Sequence, residues 1–159
     1  MSKSMVVTKP EYDFRGNRII NCSAKPVIPQ GMILHEHTKG DAFYSWNKED
    51  QKNALWKIGA QDKASSSVSG HAVLKKLGRR SVFNATALDN LLVETDLIPE
   101  DEWSGKYIFF PGTIFRSITS HFLFARYLYR AENRRWQSGT KCLSYNWPSN
   151  HYMALQLDY

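Results

Sequence analysis

The sequence predicts an α+β fold in which a small antiparallel β-sheet packs against one long helix in the carboxyl-terminal part of the chain. Two observations support this class. Short aromatic and β-branched runs bounded by Gly, Pro and Asp are typical of strands, and residues 113–136 have the length and apolar spacing of an amphipathic helix. The chain has 159 residues, of which 42% are apolar and 13% aromatic, so it can form one domain with a sizeable core.

The amino-terminal residues 1–28 are predicted to be an irregular arm, because Pro10, Gly16 and Pro26 interrupt their short apolar pieces. From there on, the apolar runs become longer and more regular. Residues 29–159 are therefore predicted to form the α+β domain itself.

The predicted domain begins with two strands and a helix. Residues 32–35 and 42–46 have strand composition, and Gly40 supplies a turn between them. Asn47 is a good N-cap residue, and the helix that it starts is predicted to end near Ile58.

Residues 69–84 are predicted to form a hairpin that carries a histidine. His71 opens an apolar run, and Gly78 and Arg79 supply a two-residue turn whose twist matches that of paired strands. Asn84 would then lie close to His71. The hairpin therefore offers an imidazole as a candidate base, with a polar side chain beside it.

The rest of the chain predicts a short helix, a strand and the long helix. Residues 86–95 form the short helix, and residues 106–110 form a strand that Pro111 and Gly112 end. Along residues 113–136 an apolar stripe recurs at helical spacing and predicts a face that packs on the core. Its members are Phe115, Ile118, Phe122, Ala125 and Tyr129.

This order of elements resembles that of the H-box/NC proteins, which have circularly permuted papain-type folds. The features that match are a Gly-Asp-aromatic strand, a histidine strand with a short turn, and a late cysteine beyond a long helix, over roughly residues 32–152. The family includes lecithin retinol acyltransferase, small phospholipases and the 2A proteins of some picornaviruses. The resemblance implies a viral non-structural protein that acts in the host cytoplasm during replication, through contacts with RNA or host proteins.

The resemblance also implies a catalytic set of three residues. His71 matches the H-box histidine, Asn84 falls near the family's third polar position, and Cys142 matches the nucleophile. Lys141 stands where the family has Asn, so two interpretations stay open: a protein that binds without catalysis, and a thiol acyltransferase or hydrolase acting through a thioester. Cys22 is a second candidate partner for His71.

Basic residues predict contact with RNA. The net charge is +6, which favours attraction to phosphate backbones. Four arginines share one side of the predicted long helix with Tyr127, namely Arg116, Arg126, Arg130 and Arg134. A second patch surrounds the predicted hairpin turn and consists of Lys75, Lys76, Arg79 and Arg80. Arginine can pair with phosphate or stack on bases, although such a row also occurs as a plain solvated helix face.

The remaining motifs predict little further chemistry. His35 and His37 could share a metal ion from one strand face, but no third ligand stands at a fixed spacing, so we predict no metal site and no cofactor. A helix-turn-helix around Gly78 would place Arg79 at an apolar position. The two cysteines suggest reduced thiols in a cytoplasmic protein, and no apolar run is long enough to predict a membrane span.

Overall fold

The computed structural model describes residues 11–38, 42–58, 67–148 and 150–157, and confirms the α+β class. Its strands are β1 (Glu11–Tyr12), β2 (Arg18–Asn21), β3 (Met32–His37), β4 (Phe43–Trp46), β5 (Leu55–Lys57), β6 (Ser67–Ser69), β7 (Ile108–Phe109), β8 (Thr113–Ser117), β9 (Leu123–Arg130), β10 (Trp136–Cys142), β11 (Asn146–Pro148) and β12 (Tyr152–Ala154). Its helices are α1 (Lys48–Gln51), α2 (Gly70–Leu77), α3 (Ala85–Val93) and α4 (Glu100–Trp103), with a 3₁₀ turn at Thr95–Leu97.

The central sheet has seven strands. Its order is β3-β8-β9-β7-β12-β5, with β10 on the opposite side of β9. Because Pro111 and Gly112 divide what would be one strand into β7 and β8, both pair with the same side of β9. All pairs are antiparallel except β7 with β12. Within the described residues, β10 pairs with β9 alone and is therefore an edge strand.

Two smaller sheets flank the central one: β1, β2 and β4 form a three-stranded sheet, and β6 pairs with β11. The prediction of an irregular arm was therefore wrong for residues 11–21, which contain β1 and β2, whereas residues 22–28 have no helix or strand. The side chains of Ile20 and Cys22 are fully buried in the same core as the rest of the chain. Residues 1–10 of the predicted arm and the turn predicted at Gly40 lie outside the described residues.

The long helix predicted over residues 113–136 is the largest error. The chain there forms β8, β9 and the start of β10, joined by tight turns in which His121 and Arg134 adopt positive φ angles of 63° and 66°. The helical stripe was accidental, because its members do not share one face. Phe115 and Ala125 are buried in strands, whereas Ile118 and Phe122 are exposed between β8 and β9.

The hairpin predicted around His71 is also wrong, because residues 70–77 form helix α2. The Ser69 side chain accepts a hydrogen bond from the Ala72 amide and caps the start of the helix. Gly78, with a φ of 64°, ends the helix where a hairpin turn was expected.

The helix predicted from Asn47 begins as expected but is short. The Asn47 side chain accepts from the Asp50 amide, and α1 ends at Gln51, after which the chain forms β5. The predicted strands at residues 32–35 and 42–46 and the predicted helix at residues 86–95 are confirmed as β3, β4 and α3.

Helix α3 holds the segment of residues 22–27 against the central sheet. Asn84 donates to the Cys22 carbonyl at 2.8 Å, and Thr86 donates to the Ala24 carbonyl at 2.6 Å. Asp89 accepts from the Val27 amide at 2.7 Å. Three polar side chains of one helix therefore satisfy three backbone groups of a segment that has no regular structure of its own.

Two cores lie on the two faces of the central sheet. Leu128 of β9 belongs to the first, with α3 and Trp103, whereas Ala125 belongs to the second, with α2 and Trp147. None of the helices in the described ranges has the length and apolar character needed to cross a membrane.

Candidate nucleic-acid interface

Strand β9 separates the arginines from the tyrosines that the sequence placed side by side. Successive side chains of a strand point to opposite faces of the sheet. Arg126, Leu128 and Arg130 therefore face α3, while Tyr127 and Tyr129 face the other way. The basic and aromatic halves of the predicted RNA-binding face lie on opposite sides of the molecule.

Arg126 is part of a buried ion pair. Its Nη1 lies 2.7 Å from Asp89 Oδ1, and the two residues are only 6% and 8% exposed. Arg126 also donates to the Ser138 hydroxyl at 3.2 Å. Burial raises the pKa of Asp89, and the Arg126 charge and the Val27 amide oppose that rise. Because its guanidinium is buried and paired, Arg126 is a structural residue here.

The other arginines of the predicted ridge do not form a row. Arg130 pairs with Glu100 at 2.6 Å and lies over the Trp136 ring. Arg116 is half-buried on β8, and Arg134 is exposed in the turn between β9 and β10. The ridge prediction was wrong because it rested on the helical spacing of residues that are in strands.

The opposite face carries a cluster of four rings, which we call the tyrosine surface: Tyr107, Tyr127, Tyr129 and His151. The Tyr107 ring stacks on Tyr129 at 5.5 Å with an interplanar angle of 27°, and lies 4.8 Å from the His151 ring. Tyr127 lies 5.6 Å and 5.7 Å from Tyr107 and Tyr129. Tyr107 is 40% exposed and the other three are half-buried, so the surface is accessible to solvent.

Edge strand β10 borders the tyrosine surface. Gly139 pairs with Tyr127, and a Cβ at Gly139 would come within 2.6 Å of the Tyr127 ring. Glycine at this position therefore lets the Tyr127 ring lie across β10. Gln137 pairs with Tyr129 and accepts a hydrogen bond from its hydroxyl at 3.0 Å.

The electrostatics of the tyrosine surface reflect partial burial and one nearby cation. Burial raises the pKa of Tyr127, with smaller contributions from Tyr129 and Tyr107. Burial, with the Lys141 charge as a second cause, lowers the pKa of His151 to about 4. His151 is therefore a neutral ring at pH 7, and Lys141 is close enough to supply a positive charge.

The second predicted basic patch is present, on a helix and the turn after it instead of a hairpin tip. Lys75, Lys76, Arg79 and Arg80 are all exposed around the carboxyl end of α2, and Arg80 lies over the Trp56 ring at 5.8 Å. Cations at this end of a helix also complement its dipole.

His71, Asn84 and Cys142 occupy different environments. The His71 side chain is exposed, and its backbone amide donates to the Leu143 carbonyl at 3.1 Å, so the start of α2 lies beside the end of β10. The Cys142 residue is only 2% exposed. Asn84 caps α3 by accepting from the Ala87 amide, and it donates to two backbone carbonyls, which fixes it as a structural residue.

His35 and His37, which were considered for metal binding, lie at and just after an irregularity in strand β3. The pairing of β3 with β8 shifts register between Leu34 and Glu36, which leaves His35 in a bulge, and His37 bonds to the Thr113 hydroxyl at 2.8 Å. A bulge breaks the alternation that would put His35 and His37 on one face. Among the described residues, no group of three or more His, Cys, Asp and Glu side chains could hold a metal ion.

The fold and this surface define an α+β protein whose central sheet exposes a tyrosine-rich face bordered by an edge strand that carries Lys141. Comparison of the chain with family models, with curated proteins and with solved structures found no match in any of the three. The sequence did not indicate a role for Tyr107, Gln137, Lys141 or His151 at this surface. The alternation of residues 126–130, Arg-Tyr-Leu-Tyr-Arg, was the signal that could have found the tyrosine face.

Proposed function

We propose that this protein binds single-stranded RNA on the tyrosine surface. The observation that carries the proposal is the row of rings on an accessible face, in which Tyr107 stacks on Tyr129 and lies 4.8 Å from the tilted His151 ring. The Tyr129 hydroxyl reaches Gln137 on edge strand β10. A base that stacks on an exposed ring of this surface would extend the row by one ring.

The charges along β10 support the proposal. Lys141 lies near one end of the strand, and Arg134 and Arg135 are exposed in the turn at the other end. At about 3.3 Å per residue these cations lie about 20 Å apart, with the tyrosine rings beside the path between them. A nucleic-acid strand running along β10 would place phosphates near both ends and bases near the rings.

The setting of this activity is a further part of the proposal. The resemblance to H-box/NC proteins implied a viral non-structural protein working in host cytoplasm, and RNA binding is compatible with that role. Two features behind the resemblance are replaced in the structure: residues 70–77 form a helix instead of a histidine strand, and residues 113–136 form strands instead of a long helix. The runner-up activity, thiol acyl transfer by Cys142 with His71, has less support from the geometry. A thiol with 2% exposure is poorly placed to attack a substrate, and Asn84 is committed to backbone groups.

The proposal is tested by measuring RNA affinity by fluorescence anisotropy as a function of salt. We expect single-stranded RNA to bind with an affinity that falls steeply as salt rises. Replacing Tyr129 by Leu keeps an apolar side chain but removes the stacking ring, and should weaken binding by about 5- to 150-fold, as loss of about 1 to 3 kcal/mol of stacking implies. Lys141→Gln should reduce the slope of log affinity against log salt by about one.

Arg130→Gln is the matched control, because Arg130 lies on the same strand but on the opposite face. Its RNA affinity should stay within about twofold of the parent protein, since surface changes away from a site have small effects. Equal affinity in the parent and Tyr129→Leu proteins, or no detectable binding at low salt, would reject the proposal.

A further inference from the structure

Ser81 is an exposed serine in the segment that follows helix α2. Residues 78–81 are all exposed and belong to no helix or strand. Within the described part of the chain, the Ser81 hydroxyl has no hydrogen-bond partner. The Ser81 carbonyl accepts from the Gln156 amide at 2.9 Å, and Val82 forms a bridge with Leu155. The chain is therefore anchored after Ser81, while the residues before it and the hydroxyl itself are open to solvent.

Ser81 also lines a groove of about 390 Å³ at the end of α2. Arg79, Arg80 and Val82 line the same groove. The serine and the two cations before it thus share one accessible depression of the surface, which another macromolecule can approach.

The cations beside Ser81 are not neutralised by the protein. Neither Arg79 nor Arg80 forms an ion pair with a carboxylate in the described ranges. The Arg80 guanidinium lies over the Trp56 ring at 5.8 Å, a contact that leaves its charge uncompensated. A guanidinium pairs with carboxylates and phosphates through parallel hydrogen bonds. Both arginines are therefore able to take an anionic partner.

We propose that Ser81 is a phosphorylation site for a serine/threonine kinase that recognises arginines on the amino-terminal side of its target. Kinases select their substrates partly by charge pattern, and Arg79 and Arg80 directly precede the free hydroxyl. The exposed upstream residues are the part of the segment that such a kinase reads. This proposal does not depend on RNA binding.

The reaction at Ser81 is a phosphoryl transfer from ATP, which the kinase supplies. The bond between the γ-phosphorus and the bridging oxygen to the β-phosphate breaks, and ADP leaves with that oxygen. Ser81 Oγ forms the new bond to phosphorus, and its proton passes to the catalytic aspartate of the kinase. The product adds about −1.5 to −2 charge at pH 7, next to two guanidiniums that can pair with it.

The test incubates the folded full chain with ATP and the catalytic subunit of cyclic-AMP-dependent protein kinase, and maps phosphate by tandem mass spectrometry. We expect phosphate at Ser81 and its loss in Ser81→Ala. The double variant Arg79→Gln, Arg80→Gln should lower kcat/KM by about tenfold or more, as loss of hydrogen bonds between charged groups implies. Lys75→Gln removes a more distant cation of the same patch and should stay within about twofold of the parent protein.

Ser117 is the matched internal control. It follows Arg116 in the sequence but lies in β8, where its hydroxyl accepts from the Ser120 amide at 3.2 Å. Ser117 should stay unmodified in the folded protein. Phosphate on Ser81 and Ser117 at equal rates, or no phosphate on Ser81, would overturn the proposal.

A synthetic peptide of residues 75–84 separates recognition of the sequence from its presentation by the fold. The folded protein should react within about tenfold of the rate of the peptide, since a larger gap would mean that the segment must first open. Reaction of the peptide alone would show that the fold hides Ser81, and would also reject the proposed site.

Discussion

The two faces of strand β9 carry opposite kinds of side chain and use them in opposite ways. On one face, Arg126 and Arg130 are paired with the carboxylates of Asp89 and Glu100. On the other, Tyr127 and Tyr129 join an accessible cluster of rings with the cation Lys141 nearby. The face rich in arginine is thus the internally satisfied one, whereas the face with less charge remains able to take a partner.

The comparison teaches that a count of basic residues is a poor guide to a binding surface. A cation that is paired and buried contributes little to the field outside the protein, because its partner cancels its charge. A half-buried tyrosine keeps an exposed ring edge and a polar tip. The accessible groups, and not the most basic stretch, are the ones available to a ligand.

The largest effect is expected on the arginine face. Replacing Arg126 by Leu leaves the buried Asp89 carboxylate without its partner, and should lower the free energy of unfolding by about 3 to 5 kcal/mol. Urea denaturation measures this change. Adding Asp89→Asn keeps an acceptor for the Val27 amide and removes the charge, so the double variant should recover at least half of the loss.

Arg130→Leu gives the matched comparison on that face. Glu100 has a side chain that is 56% exposed, so this pair should contribute less than about 1 kcal/mol. Equal losses for the Arg126 and Arg130 variants would contradict the assignment of Arg126 as the structural arginine.

A smaller effect is expected where β10 supports the tyrosine surface. Gly139→Ala places a Cβ about 2.6 Å from the Tyr127 ring and forces the ring to move. We expect a loss of about 1 to 2 kcal/mol in unfolding free energy, as for other overpacked sites, with a changed near-ultraviolet circular dichroism spectrum. Thr140→Ala, an exposed neighbour on the same strand, should cost less than about 0.5 kcal/mol. An unaltered spectrum in Gly139→Ala would show that Tyr127 does not depend on this glycine.

An effect of similar size is expected in a pH dependence from His151. Its pKa is lowered to about 4 in the folded protein, against about 6.5 when unfolded, so only the unfolded chain takes up the proton between these values. Stability should therefore fall as the pH drops from 6.5 towards 4. Because the ring is half-buried, we expect a loss of about 1 to 2 kcal/mol relative to His151→Gln. If the free energy of unfolding changed with pH in the same way for both proteins, the His151 ring would be solvated in the folded state, which would contradict the lowered pKa.

The elements that were predicted correctly are those whose local sequence pattern matches only one type of secondary structure. The Asn47 cap, strand β4 and helix α3 were recognised because a cap residue, an aromatic run and a helical pattern each had one interpretation. The element after Asn47 was predicted too long, because the contacts that end α1 and begin β5 are made with β12, far along the chain.

The central hairpin could not be predicted for a physical reason. Residues 123–130 are covered on both faces at several positions, so the polar alternation that marks a strand is weak. The turns at the two ends of the strand have His121 and Arg134 at positive φ. Neither turn contains a glycine, the residue that usually marks such a turn in a sequence. At α2 the ambiguity was different, because Gly78 is equally suited to a hairpin turn and to a helix end.

One ring of the tyrosine surface was associated with RNA contact from the sequence. Tyr127 was named with the arginines, but the rings that surround it come from distant parts of the chain, Tyr107 and His151, and meet only because β12 runs parallel to β7. No local pattern contains that information. The pairing of Arg126 with Asp89 is likewise a contact between a strand and a helix 37 residues apart.

The attachment of residues 22–27 to α3 couples the motions of two segments far apart in the chain. The segment cannot detach without breaking the hydrogen bonds that Asn84, Thr86 and Asp89 make with its backbone, and the helix cannot unravel without freeing the segment. Amide protons in both should therefore exchange with solvent at a common rate, as members of one cooperative opening unit.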